Sequence, residues 1–86
     1  MLFRSALPDL EFTGEAFSET AGRRGALWSV KARVELKVRE RATGKLLVTD
    51  REVRLAIDSA EHVAGKQALA EAAAELAVRV LPQVIR

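Results

Sequence analysis

Cysteine and tyrosine are missing from this chain, histidine and tryptophan occur once each, and proline only twice. Without cysteine there is no disulfide framework, no thiolate zinc site and no cysteine nucleophile. A single histidine, His62, falls short of the roughly three or four convergent ligands of a metal centre, and a general base needs a partner and a substrate pocket. No segment approaches the roughly 20 consecutive apolar residues of a membrane span, and Met1 to Pro8 lacks the apolar stretch of a secretory signal. Serines are few, and no phosphate-cradling glycine sequence joins a strand to a helix in the required order.

What is present suits a small folded unit. The 86 residues have room for a single small domain over 1–86, near the lower end of sizes that bury an adequate core unaided, so oligomerisation is expected. A fragment of a larger module is the other reading of that length. Charged residues make up 30% of the chain, with both signs intermixed and a net charge of +2, which favours folding and says little about polyanions.

The strongest pattern is an alternation from Trp28 to Arg39. Trp28, Val30, Ala32, Val34, Leu36 and Val38 share one parity, and Ser29, Lys31, Arg33, Glu35, Lys37 and Arg39 the other, which gives a strand with one dry and one wet face. Before it, Leu10, Phe12 and Ala16 alternate with Asp9, Glu11, Thr13 and Glu15, a first strand interrupted at Gly14. Ser18 to Gly25, with two glycines and paired arginines, reads as an exposed loop.

After Arg39, Gly44 is placed to close a three-residue hairpin in the left-handed conformation, pairing Arg41 with Lys45 and Val38 with Val48. Continued unchanged, that register sets Asp50 opposite the inward Leu36. A bulge near Thr49 to Arg51 removes the conflict, pairing Val34 with Val53, Ala32 with Leu55 and Val30 with Ile57. Asp50 and Glu52 then lie on the wet face. Asp58 and Glu61 have the spacing of a capping box, predicting a helix from about Ser59. Its apolar stripe is Leu69, Ala72, Ala73, Leu76, Ala77 and Val80. Gln67, Glu71, Glu75 and Arg79 form the opposite ridge, with a Glu75–Arg79 pair, and Pro82 ends the helix.

These elements predict a two-layer α+β fold: a three-stranded antiparallel sheet, β-β-β-α in order, with one C-terminal helix packed on one face. One helix covers only part of such a sheet, which leaves apolar surface and a strand edge bare. The runs Val34-Glu35-Leu36-Lys37-Val38-Arg39, Thr43-Gly44-Lys45-Leu46-Leu47, Ala64-Gly65-Lys66-Gln67-Ala68-Leu69 and Ala72-Ala73-Ala74-Glu75-Leu76-Ala77 resemble a bacterial envelope module. Over about residues 26 to 84 the chain is similar to the β-hairpin and closing helix of domains related to the curli secretion lipoprotein and flagellar assembly proteins. The resemblance implies a scaffold without a catalytic motif. It places the chain in the cell envelope if an upstream signal has been removed; otherwise a cytoplasmic location is expected.

Candidate sites follow from the same strands. His62 reads as a first-turn helix residue, and the carboxylates Asp50, Glu52 and Asp58 as strand surface and cap, so no catalytic residue, cofactor or metal is assigned and the chain is read as non-enzymatic. Trp28, at the start of the dry row, with Leu27 and Leu47, is the candidate partner-binding set. The expected function is a protein-interaction or assembly module, forming a dimer or docking in a larger assembly through an exposed sheet edge or uncovered face. The alternative is weak nucleic-acid binding by Lys31, Arg33, Lys37 and Arg39 on the wet face with the Arg23 and Arg24 loop. Interleaved acids and a lack of stacking aromatics on that face weigh against it.

Overall fold

The structure, a computed structural model, describes the backbone of residues 2–6 and residues 9–84 in full. Strands β1 (Leu2–Ala6), β2 (Leu10–Arg24), β3 (Leu27–Glu40) and β4 (Leu46–Asp58) are followed by helix α1 (Glu61–Val84). The strands form one antiparallel sheet in the order β1-β2-β3-β4, and α1 packs on the β2, β3 and β4 side. The α+β class, with a single C-terminal helix on an antiparallel sheet, is as the sequence pattern predicts. The three long strands are joined by the short β1, which pairs with the Glu11–Glu15 end of β2.

Strand β2 is longer than its sequence suggests. It runs through Gly14 without interruption, and the segment expected as a loop is strand as far as Arg24. At about 3.3 Å per residue, its 15 residues span almost the whole 52 Å length of the molecule. The irregularity lies farther along, where Thr20 pairs with Val30 and Gly22 with Ser29, leaving Ala21 as the extra residue of a bulge. The connection to β3 is only Gly25-Ala26, with Gly25 at φ 60° and Ala26 at negative φ. Glycine at the first central position of a two-residue turn is the II′ arrangement, whose twist suits a hairpin. Cross-strand pairing to a long, regular β3 therefore holds residues 18–24 extended despite their polar composition.

The β3–β4 turn also departs by one residue. Glu40, in place of Arg41, pairs with Lys45: its N–H donates to the Lys45 carbonyl at 2.8 Å, and the Gly44 N–H donates to the Glu40 carbonyl at 2.8 Å. Gly44 adopts the expected left-handed conformation, φ 72°. Val38 faces Val48 as predicted, but Arg39 faces Leu46, so the bulge is at Leu47. From there to Trp28 opposite Asp58 the register runs unbroken. The bulge expected near Thr49 to Arg51 is absent, and Val34, Ala32 and Val30 face Glu52, Arg54 and Ala56 in place of Val53, Leu55 and Ile57. Strand β4 thus turns Asp50 and Glu52 toward the helix layer and the three aliphatic residues away from it.

Helix α1 starts at Glu61. Asp58 makes a local turn, its Oδ1 accepting from the Ala60 N–H at 3.0 Å, and the Ala60 carbonyl accepts the Ala64 N–H at 3.1 Å. The Glu61 carboxylate accepts from the Thr20 hydroxyl, so it ties the helix start to β2. The buried ridge steps by four residues, Ala64, Ala68, Ala72, Leu76 and Val80; Ala73, expected in it, is exposed. Small residues at the N-terminal half bring the helix close to Val30, Ala32 and Ala56, and Leu76 and Val80 fill the space above Val34, Val38 and Val48. The helix continues past Pro82 to Val84. Pro82 and Val78 are both exposed, so the carbonyl that loses its amide partner faces water, which keeps the break inexpensive.

Candidate interaction surfaces

Two surfaces of the sheet carry chemistry, and the unbroken β3–β4 register creates both. On the side of β4 nearest the helix, Asp50 and Glu52 meet a cation from α1. Arg79 Nε lies 3.0 Å from Asp50 Oδ2 and its Nη1 3.0 Å from Glu52 Oε2. Its Nη2 donates to the Arg51 carbonyl at 2.9 Å. The predicted Glu75 pair is longer, 3.7 Å, because Arg79 is drawn to the strand. Arg54 joins from below, 3.1 Å from Glu52 and 3.6 Å from Glu75.

These contacts shift three groups. The Arg79 hydrogen bond, with the Arg51 N–H, holds Asp50 below its ordinary value of 3.8. For Glu52 partial burial pushes the other way, but the hydrogen bond and charge of Arg79, the Val53 N–H and Arg54 together leave it below 4.5. Asp50 and then Glu52 raise Arg79 in turn. The folded chain therefore holds protons on these carboxylates less tightly than the unfolded chain. Their contribution to stability is complete above the ordinary carboxylate values and is lost as pH falls through the lowered ones. In urea titrations, the unfolding midpoint is expected to drop on acidification below about pH 4, and Arg79→Ala to flatten that drop; parallel curves would refute the linkage.

The second surface is the sheet face turned away from α1. Val53, Leu55 and Ile57 line it along β4, exposed by 46%, 54% and 56%. Phe17 on β2, 50% exposed, faces Arg33, which faces Val53; the Arg33 guanidinium lies 5.8 Å from the Phe17 ring centre. A shallow groove here is lined by Phe17, Glu19, Lys31, Arg33, Arg51 and Val53.

The predicted partner-binding residues do not converge. Leu27 is exposed on the open face beside the β2–β3 turn. Trp28 is half-buried on the opposite face, with the Arg23 guanidinium 4.7 Å over its ring. Leu47 is the bulged residue at the far end of the sheet, roughly 35 Å along β3 by strand rise. Of the basic set, Lys31, Arg33, Lys37 and Arg39 share the open face, and Arg24 joins them opposite Leu27. Arg23 is separated from them by its place over Trp28. Glu19 pairs with Lys31 at 3.5 Å and Glu35 with Arg33 at 3.8 Å, while Arg39 donates to the Gly44 carbonyl. Phe17 supplies one aromatic ring on this face, contrary to expectation, because β2 continues past Ala16. His62 is an exposed residue of the first helical turn, and among the described residues no group of three His, Asp or Glu side chains stands ready to hold a metal.

Phe17 and the β4 row were legible as residues but not as a surface. The signal for Phe17 was the Arg24-Gly25-Ala26-Leu27 turn, which extends β2 backward once it is read as a two-residue hairpin. Fold and surface together define a class, a helix-backed antiparallel sheet with one bare, partly aliphatic face. Compared with known proteins, the chain matches no family, no curated protein and no solved structure.

Proposed function

We propose that this chain is a non-catalytic interaction module that self-associates, or docks within a larger assembly, through its open sheet face. The observation that carries this reading is the row Val53, Leu55 and Ile57, about half exposed on the face without a helix. Alternate positions of a solvated strand face are ordinarily polar, and aliphatic side chains there gain about 25 cal/mol for each Å² removed from water. The charged residues beside the row suit the rim of such a contact, since exposed pairs like Lys31–Glu19 cost little to leave wet. Light scattering across a dilution series tests the reading. A concentration-dependent dimer, dissociated at least tenfold more readily by Leu55→Lys with an unchanged circular dichroism spectrum, is the expected result. A wild-type monomer at every concentration would remove self-association, and an unaltered dimer in the variant would remove this face.

A further inference from the structure

The outer edge of β4 is less open than its position at the margin of the sheet implies. The Arg41 N–H donates to the Asp9 carbonyl at 3.1 Å, continuing the ladder in which Glu40 lies opposite Leu10 and Arg39 opposite Glu11. Odd residues of β3 therefore direct their backbone groups to β2. Even residues direct theirs to β4, as the Glu40 N–H does to Lys45. The β4 residues opposite those even positions are Asp50, Glu52 and Arg54. It follows that Thr49, Arg51, Val53, Leu55 and Ile57 turn their N–H and C=O groups outward, where an added strand would bind them.

At the centre of that edge three of the four outward groups of Arg51 and Val53 are engaged by side chains. The Arg51 N–H donates to Asp50 Oδ1 at 2.8 Å, and the Arg51 carbonyl accepts from Arg79 Nη2 at 2.9 Å. The Val53 N–H donates to Glu52 Oε1 at 3.3 Å. Arg79 holds both carboxylates in place, at 3.0 Å each, so the three side chains act together.

We infer that Asp50, Glu52 and Arg79 form a clasp that closes the middle of β4 to strand addition by a second copy of this chain. An incoming strand needs the outward N–H and C=O of every second residue. Here it must first displace two ion pairs and three side-chain hydrogen bonds to the backbone, and the clasp divides the outward-facing residues into Thr49 on one side and Leu55 and Ile57 on the other. The clasp also explains why two acidic residues face the helix layer. They serve the edge, and the helix supplies the cation that fixes them.

Amide hydrogen exchange on the wild-type chain, followed by NMR, provides the first test: Arg51 and Val53 should exchange at least about tenfold more slowly than Leu55 and Ile57 on the same edge. The second test is Arg79→Ala at rising concentration. A folded variant should associate where the wild type does not, or more strongly than the wild type, with new protection of the Leu55 and Ile57 amides as they pair with a second strand. Equal exchange along the wild-type edge would overturn the clasp, as would a folded variant that associates no more than wild type or gains no protection at these amides. Should the variant fail to fold, wild-type exchange decides alone. Association through the open face is separately read by Leu55→Lys and leaves the Arg51 and Val53 protection unchanged, so either idea can fail without the other.

Discussion

Leu76→Ala is expected to cost about 3 kcal/mol of folding stability and to lower the thermal midpoint by roughly 12 to 24 °C. Leu76 is 2% exposed and packs with Ala16, Val34 and Ala72, with Leu36 and Leu69 against the same cluster. Ala72 and Ala16 present only methyl groups, and neither can move into the space a shortened side chain would leave. The cavity term therefore adds fully to the lost transfer energy. For a chain of this size total stability is on the order of 4 to 13 kcal/mol, so one such change removes a large share of it. Urea unfolding followed by circular dichroism checks this, with a lowered midpoint and an unchanged slope expected. A loss under about 1 kcal/mol would mean that the helix does not sit on the sheet as described.

Ala68→Leu is expected to destabilise by about 2 to 3 kcal/mol, from the opposite cause. Ala68 is fully buried among Val30, Ala32, Ala56 and Ala64, where the helix approaches the strands closely because every facing side chain is small. Three added carbons have no space to enter, and they must force the helix away from β3 and β4 or adopt a strained rotamer. Leucine favours helix almost as well as alanine, so propensity contributes little to the difference. The same measurement separates the mechanisms, because an unstrained site would gain stability from the extra buried carbon. An increase in midpoint would contradict the close approach of the N-terminal half of α1.

The two halves of one helix thus answer to different rules. Its stripe of alanine, leucine and valine was visible as periodicity, but the gap each half leaves above the sheet was not, since that gap depends on the partner strands. Ala73 illustrates the limit: it fits a helical period of apolar residues yet is exposed, because the ridge that meets the sheet steps by four. Pro82 marks another. Its cost inside a helix depends on which way the freed carbonyl points, and only the packed helix settles that it points to water.

The candidate surfaces were legible in part. Parity along β3 correctly separated Val30, Ala32, Val34 and Val38 from the charged row, since alternation is a local consequence of strand geometry. In β4 parity misled, because Val53, Leu55 and Ile57 look like core residues and Asp50 and Glu52 look like surface. A bulge is one way to reconcile a strand with its partner. The chain uses another, bringing Arg79 across from the helix to meet the carboxylates and leaving the aliphatic row bare. That choice joins residues far apart in sequence, which no local pattern records.

By itself the sequence determined the α+β class, the order of the long strands and helix, the buried face of β3, the left-handed turn at Gly44 and the position of the helix near Asp58. Each follows from short-range stereochemistry: alternation, helical period, and the few residues that tolerate a turn. Tertiary structure alone decided the register of β4, the length of β2, the destination of Arg79 and the face on which Val53, Leu55 and Ile57 lie. Those depend on pairing and charge across distant segments, where the free energy of the whole sheet and helix, rather than the preference of any one stretch, selects the arrangement.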